Sequence, residues 1–320
     1  MNIAILGFGT VGKGVAEIVS KKEGKTKEIN IKKILVREGK LSYFDGMSKE
    51  SLFLDENVKF ITNIDDIVND KSIDLVVECM GGVSPAFEYV EKCLKNGKKI
   101  VTSNKMLLAM KYNEIVVKFK NQIKYEATVG GGIHIFHSIN DVKKVDSIKS
   151  FKGIVNGTTN FILSKMTDMV LNDNNCSENI FSDVLKEAQN LGFAEADPTN
   201  DVEGYDAMYK AVLLHNEIFG DVVTFDKSKA EGISHITKDD IINANSENKV
   251  IKLIAYGDSK NTYVKPMRID KNDYLAHVNS NLNCILLESE NLGVSAYVGQ
   301  GAGKLPTAHA VVVDIVDFLD

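Results

Sequence analysis

The four cysteines of this 320-residue chain, Cys79, Cys93, Cys176 and Cys284, are scattered and form no Cys-x-x-Cys pair. That spacing suggests neither a disulfide framework nor a zinc module. No stretch approaches the roughly 18 uninterrupted apolar residues of a membrane span. The opening residues, MNIAILGFGTVG, lack a basic segment and a small-residue cleavage site, so they read as a first strand and not as an export signal. The cytoplasm is therefore the expected compartment. There is no run of basic residues, and the formal charge of −6 gives no general attraction to nucleic acid or an anionic membrane. Without an export signal, the sequon at Asn156-Gly157-Thr158 is incidental. No internal repeat or low-complexity tract is visible.

What is present suits a globular enzyme of two domains. The length and an apolar share of 44% fit that class. Over the first 125 or so residues, short apolar strands (2–6, 29–36, 58–61, 73–77, 99–102 and 122–125) alternate with helical patterns (10–20, 63–69, 85–96 and 112–119). This alternation predicts an α/β fold with a parallel sheet and right-handed crossovers. Residues 39–57 read as irregular. Beyond residue 128 the grammar changes. Helices are expected at 158–171, 178–191 and 201–219, and strands at 145–155, 249–256, 263–268, 282–288 and 293–298. Strands that follow one another without a helix indicate an antiparallel or mixed sheet in an α+β domain. The expected division is a Rossmann dinucleotide-binding domain over 1–127 and a substrate-binding and dimerisation domain over 128–298. Residues 299–320, a Gly-rich turn and then a helix over 307–319, would pack back on the first domain.

Gly7-Phe8-Gly9-Thr10-Val11-Gly12 follows the first strand and opens a helix. Glycines in that context allow a tight turn and close approach of backbone to a pyrophosphate, which the helix N-terminus attracts. Gly7, Gly9, Thr10, Val11 and Gly12 are thus the expected cofactor cradle. The second strand ends at Val36-Arg37-Glu38. Arg37, with Lys40 close by, suits the 2′-phosphate of NADP, whereas Glu38 on a ribose hydroxyl would suit NAD. Glu78-Cys79-Met80-Gly81-Gly82 and Thr102-Ser103-Asn104-Lys105 follow the fourth and fifth strands, at the carboxyl ends where open α/β sheets bind ligands. Met80, Ser103 and Lys105 are expected there, with Lys105 toward the nicotinamide. The turn Gly299–Gly303 enters the last helix, and its glycines, Gly303 among them, favour close backbone approach to cofactor or a neighbouring chain.

The second half carries an acidic loop, Glu195 to Glu203, that leads to Asp206 and Lys210. Asp206 and Lys210 stand at i,i+4 spacing and share a helix face, with Asp201 as the expected N-cap of that helix. A carboxylate and an ammonium held together could bind a small cationic substrate and hand it a proton. An ordinary surface ion pair is the alternative. Asn156-Gly157-Thr158-Thr159-Asn160 starts another helix, whose N–H groups could take a carboxylate, or whose threonine simply caps it. Glu126-Ala127-Thr128-Val129-Gly130-Gly131-Gly132-Ile133 joins a carboxylate to a glycine-dense turn; on residue types alone it reads as a hinge rather than a cation loop.

Taken together and in order, GFGTVGKGV, VECMGG, TSNK, EATVGGG, GIVNGTTNFIL, LGFAEADPTNDVEGYDA with Lys210, and GAGKLPTAHAVVVDIV resemble the homoserine dehydrogenase family, over residues 7 to 316. The resemblance implies an NAD(P)-dependent oxidoreductase that interconverts L-homoserine and L-aspartate 4-semialdehyde in threonine and methionine biosynthesis. It implies Lys105 and Lys210 as active-site lysines, Lys210 as proton donor with Asp206 orienting it, and Glu195, Asp201 and Asp206 as acidic residues around the substrate. Glu195 would take the substrate ammonium, and Gly157 and Thr158 its carboxylate. It also implies a monovalent cation, sodium, at Glu126, Val129, Gly131 and Ile133, and a homodimer paired through the second-domain sheet. The sequence departs from the family pattern at His134 and Gln300, where proline is common, at His309, a usual small polar residue, and at Glu203, a usual asparagine. A C-terminal ACT domain, present in longer members, is not expected here, nor is allosteric inhibition by threonine. A different Rossmann oxidoreductase acting on a sugar or diamino acid, or a nucleotide-binding sensor without turnover, would share much of the first-domain pattern.

Overall fold

The structure is a computed structural model that describes residues 1–172 and 177–319, so Cys176 lies outside the described residues. The chain divides into two compact units, Met1–His134 with Ala302–Asp320, and Ile135–Gly301. The boundary falls later than the expected residue 128. In chain order the first unit contains β1 (Asn2–Leu6), α1 (Thr10–Ser20), β2 (Asn30–Leu35), α2 (Glu38–Asp45), β3 (Lys59–Ile61), α3 (Asp65–Val68), β4 (Leu75–Glu78), α4 (Ala86–Lys95), β5 (Lys99–Thr102), α5 (Lys105–Tyr112) and β6 (Ile123–Lys124). The second contains α6 (Ile135–Lys143), β7 (Ile148–Ile154), α7 (Gly157–Asn172), α8 (Ile180–Asn190), α9 (Thr199–Val202), α10 (Tyr205–Phe219), α11 (Lys238–Ser246), β8 (Lys249–Asp258), β9 (Thr262–Asp270), β10 (Leu282–Ser289) and β11 (Gly293–Gln300). α12 (Lys304–Val316) returns to the first unit.

The first unit is a Rossmann-like sheet in the order β3-β2-β1-β4-β5-β6, parallel throughout. Its central strands are buried and largely apolar, as in a sheet covered on both faces; all four residues of β4 are buried, the closing Glu78 included. The order reverses between β1 and β4, and this switch point opens a crevice beyond the strands' carboxyl ends. α1 buries Val15, Ala16 and Val19 and packs on α12. The contact is close at Gly14, where a Cβ would lie 2.7 Å from the Lys304 carbonyl and 2.8 Å from the Ala308 Cβ.

Some expected elements differ. The stretch read as irregular carries helix α2 and a short 3₁₀ turn, Glu50–Leu52, which place Phe44 and Leu52 in the core. Helix α5 begins at Lys105, not at residue 112, because Asn104 caps it by accepting the Leu107 N–H at 3.1 Å. A kink at Lys111 then passes into a π turn, Asn113–Val117. Helices α6 and α11 were not anticipated, and α12 starts earlier than expected, directly after Gly303.

The second unit is a five-stranded antiparallel sheet in the order β11-β10-β7-β8-β9. α7, α10 and α11 pack on β8, and α10 also touches β7 and β9. Asp201 does not cap the long helix. It lies inside the separate short helix α9, and Gly204 at φ 77° breaks the chain before α10 starts at Tyr205. The break follows from crowding: a Cβ at Gly204 would lie 3.1 Å from the Glu231 carbonyl, and one at Gly232 would lie 2.2 Å from the Val202 carbonyl. Among the described residues no helix is long and apolar enough to cross a membrane.

Lys252 on β8 is 2% exposed. Four oxygens lie within hydrogen-bonding distance of its ammonium and share its three hydrogens: Val278 O at 2.7 Å, Asn279 Oδ1 at 2.9 Å, Asn160 Oδ1 at 3.0 Å and Ser164 Oγ at 3.1 Å. These bonds tie β8 to α7 and to the loop before β10. Burial pushes the Lys252 pKa down from 10.5 to about 8. Between those values the unfolded chain binds the extra proton, so the cost of burying the charge, present in full below about pH 8, is relieved as pH rises through the window. From about pH 7.5 to about pH 10.5, urea unfolding should show the native protein gaining about 3 kcal/mol relative to Lys252→Met. A difference that stays flat with pH would contradict a desolvated ammonium at this position.

Candidate active site

The first unit's candidate residues gather at the carboxyl ends of β1, β4 and β5. Gly7 turns out of β1 at φ 89°, and its N–H donates to Leu35 O at 3.0 Å. A Cβ at Gly7 would meet the Cys79 carbonyl at 2.9 Å, and one at Gly12 would meet the Gly7 carbonyl at 2.3 Å. Only glycine allows that packing. Gly9 differs: a Cβ there would meet nothing within 4 Å. It is the N-cap of α1, with no side-chain cap, and Thr10 and Val11 begin the helix. A bare helix start that opens onto free space fits a pyrophosphate.

Glu78 ends β4 fully buried. Thr102 Oγ1 donates to its Oε2 at 2.6 Å and the Met80 N–H to its Oε1 at 2.8 Å. Asn104 Nδ2 donates to the same Oε1 at 3.4 Å and to Gly82 O at 2.7 Å. Burial raises the Glu78 pKa, and these donors only partly offset it. The carboxyl group thus fixes Met80, Gly82 and the Thr102–Lys105 loop against one another. Ser103 and Lys105 are partly exposed on that loop. Arg37 is exposed just past β2 as the N-cap of α2, and Glu38 is the first residue of that helix. Gly303 is the N-cap of α12, at φ 130°.

Glu126 is 2% exposed, in a 3₁₀ turn, Glu126–Thr128. Its N–H donates to Asp314 Oδ2 on α12 at 2.8 Å. Val129 and Gly131 are buried beside it, and Ile133 is partly buried. Gly130, Gly131 and His134 all take left-handed conformations. The turn therefore folds sharply, as wrapping carbonyl oxygens around a cation requires. His134, one of the departures from the family pattern, meets another, His309, at 3.1 Å between Nε2 and Nδ1.

The second unit holds the denser polar cluster. Asp206 and Lys210 are 8% and 7% exposed on the first turns of α10. The Lys210 ammonium donates to Asp206 Oδ2 at 2.8 Å and to Val155 O at 2.6 Å. So the pair is not an ordinary surface bridge. Asn156, which follows β7, organises it. Its Nδ2 donates to Asp206 Oδ2 at 2.8 Å and to Asp201 Oδ1 at 2.7 Å. Its Oδ1 accepts the Thr159 N–H at 2.8 Å and the Thr159 hydroxyl at 2.9 Å. Asn156, and not a threonine, is thus the N-cap of α7. The signal was in the sequence: asparagine is a strong N-cap residue, and it directly precedes the helix. Gly157 approaches Asn281 so closely that a Cβ would lie 2.7 Å from its carbonyl. Thr158 Oγ1 donates to Phe193 O at 2.7 Å, which ties the helix start to the loop carrying Glu195. Glu195 is exposed on that loop, whose backbone Gln189 holds through Glu195 O at 3.0 Å. Among the described residues, Asp201, Asp206, Lys210 and Asn156 form one network, and Glu195 stands apart from it.

Two family profiles match the chain: "Homoserine dehydrogenase, NAD binding domain" over residues 7–125 and "Homoserine dehydrogenase" over residues 135–316. The homoserine dehydrogenase of Neisseria gonorrhoeae is 38% identical over 99% of this chain and 72% of its own. The crystal structure of a homoserine dehydrogenase from Thiobacillus denitrificans superposes with a TM-score of 0.87 at 36% identity, covering 99% of this chain and 72% of that one. A hyperthermophilic archaeal homoserine dehydrogenase in complex with NADPH gives 0.80 at 28% identity, over 99% and 96%.

The glycine packing generates a test. Gly12→Ala puts a methyl group against the Gly7 carbonyl and must displace the glycine-rich turn expected to cradle the cofactor. NADPH binding, followed by fluorescence titration, should weaken by about tenfold or more, equivalent to about 1.4 kcal/mol, while circular dichroism keeps its native form. Unchanged affinity would remove this turn from the cofactor site.

Proposed function

The chain belongs to the homoserine dehydrogenase family, and we propose that Lys210 carries the proton in the NAD(P)-dependent interconversion of L-homoserine and L-aspartate 4-semialdehyde that this membership assigns to it. The observation that carries the proposal is the buried Lys210–Asp206 pair held by Asn156 and Val155. When bound, the nicotinamide supplies the hydride in the reducing direction and takes it up in the oxidising one. As the aldehyde carbon is reduced, its oxygen gains an electron pair and needs a proton. Lys210 gives an Nζ proton to that oxygen and takes one back from the hydroxyl of homoserine in reverse. Asp206 and the Val155 carbonyl occupy two of the three ammonium hydrogens, which fixes the direction of the third. Asp206 also balances the charge of the protonated lysine. Lys105 supplies a second ammonium for the negative charge that develops on oxygen.

The substrate carboxylate is assigned to the N–H groups of Gly157 and Thr158 at the start of α7. Asn156 already satisfies the Thr159 N–H and leaves the first two donors of the turn for a ligand. The substrate ammonium is assigned to Glu195, with Asp201 adding negative charge. The cofactor is assigned to Gly7, Gly9, Thr10, Val11, Gly12, Arg37, Met80, Ser103, Lys105 and Gly303. We take it to be NADP, because Arg37 is exposed at the end of β2 while Glu38 opens α2, where an acidic residue already suits the helix dipole. A sodium ion is assigned to Glu126 and the carbonyls of Val129, Gly131 and Ile133. A homodimer would pair through the second-unit sheet, whose edge strand β11 exposes Val294 and Val298.

Purified protein should reduce NADP in the presence of L-homoserine at mildly alkaline pH, seen as nicotinamide absorbance. A folded sample that binds NADPH yet turns over neither NADP nor NAD would sink the assignment. Lys210→Ala and Lys105→Ala should each lower kcat by roughly 10²-fold or more; near-native turnover in either would mean that lysine is misassigned. Arg37→Ala should weaken NADP binding by roughly 10- to 100-fold, the loss of charge-assisted hydrogen bonds to one phosphate. NAD binding should barely change, and equal loss for both cofactors would transfer the role to Glu38 and the preference to NAD.

A further inference from the structure

We propose that Asn283 is a positioning residue of the cofactor site, whose carboxamide fixes the glycine-rich turn Gly299–Gly303 in the arrangement that binds NADP. Asn283 is the second residue of β10 and is 0% exposed. Among the described residues, it alone leaves two buried side-chain polar atoms unpaired, its Oδ1 and its Nδ2. Buried amides are nearly always hydrogen-bonded, because an unpaired one loses its hydration and gains nothing in return. A fully buried amide with neither atom bonded points to a partner that it meets in a second arrangement of the chain.

What lies on the amide identifies that partner. β10 pairs with β11 at Asn283 and Gly299, two residues before Gly301. A Cβ at Gly301 would lie 1.8 Å from Asn283 Nδ2, 2.1 Å from its Cγ and 2.6 Å from its Oδ1, and these are the three nearest atoms it would meet. The backbone of the turn therefore rests directly on the carboxamide. The turn carries peptide N–H and carbonyl groups, and the carboxamide has an acceptor oxygen and two donor hydrogens to match them. Glycines let the turn shift at low steric cost, so that Oδ1 accepts a turn N–H and Nδ2 donates to a turn carbonyl. Gly303 follows two residues after Gly301 and caps α12. Fixing Gly301 thus fixes how Gly303 meets its ligand, and this role rests on Gly303 facing the cofactor. Because the hydrogen bonds form only in the arrangement that the cofactor selects, their free energy adds to its affinity. On the other side of β10, the register that pairs Cys284 with Ile154 carries Asn283 to the level of Val155, whose carbonyl holds Lys210. One strand position is thereby next to both the turn and the strand end that serves the proton donor.

The test sets stability against binding. Asn283→Leu replaces the carboxamide by an apolar group of the same shape. Losing an unpaired buried amide costs the fold nothing, so the melting temperature should hold or rise. NADPH affinity, measured by fluorescence titration, should nevertheless weaken by about tenfold, the loss of hydrogen bonds to the turn. In steady-state assays KM for NADP should rise by more than kcat falls. Gly301→Ala drives a methyl group into the carboxamide and should also weaken NADPH binding. In the Asn283→Ala background that space is open, and the same change should cost less than about twofold. Unchanged NADPH affinity in Asn283→Leu overturns the role. So does a lowered melting temperature, the mark of an amide already bonded in the fold, and so does a Gly301→Ala effect of equal size in both backgrounds. Native protein that binds NADPH yet never oxidises homoserine would sink the dehydrogenase reading instead, and the binding comparison would still decide the role of Asn283.

Discussion

The second unit depends on one oxygen atom. Asp206 Oδ2 accepts from both the Lys210 ammonium and the Asn156 amide, in a place that excludes nearly all solvent. A buried ion pair is tolerated only when the remaining polar atoms find partners, because desolvating two charges costs several kcal/mol per ion. Here the partners come from the end of a single strand. β7 delivers the Val155 carbonyl to Lys210 and, one residue later, the Asn156 side chain to Asp206. Asn156 then caps α7 with its other atom. Strand end, helix start and ion pair are thereby locked in one register. Moving α10 by a turn would leave a buried charge without a partner.

The first unit is governed by close approach of backbone instead of by charge. At the switch point β1 and β4 leave the sheet side by side, and Gly7 and Gly12 let the turn fold on itself against Cys79. Glu78 supplies the polar complement. As a buried carboxyl group with a raised pKa, it draws Thr102, Asn104 and the Met80 N–H around itself. In this way it sets the shape of the loops that follow β4 and β5 while touching no solvent. Gly14 plays the corresponding part on the far side of α1, where it lets α12 come close enough to complete the core.

Much of this was legible in the sequence, and for identifiable reasons. β1, β5 and α1 were read with their bounds intact because their apolar periods are unbroken and their ends are marked by glycine or a polar turn. The parallel and antiparallel halves were separable because one alternates strand with helix and the other does not. The family followed from seven local segments whose order is itself information. What failed was local punctuation. Asp201 has the residue type of an N-cap, yet the helix starts after Gly204, because Glu231 and Gly232 press on that part of the chain from a distant stretch of sequence. No window around Asp201 contains that pressure.

The sequence by itself determined the two-unit α/β and α+β design, the glycine-rich turn after β1, and the residue types of the proposed chemistry. Each of these is a property of spacing along one strand or helix, where steric period and charge act between near neighbours. Tertiary structure decided which of those residues share a hydrogen bond. It made the Asp206–Lys210 pair buried, made Asn156 its organiser from 50 positions away, and set His134 against His309 across 175. The reason is physical. Desolvation and the pairing it enforces depend on what the rest of the chain packs above a residue, and that is fixed only when the whole unit closes.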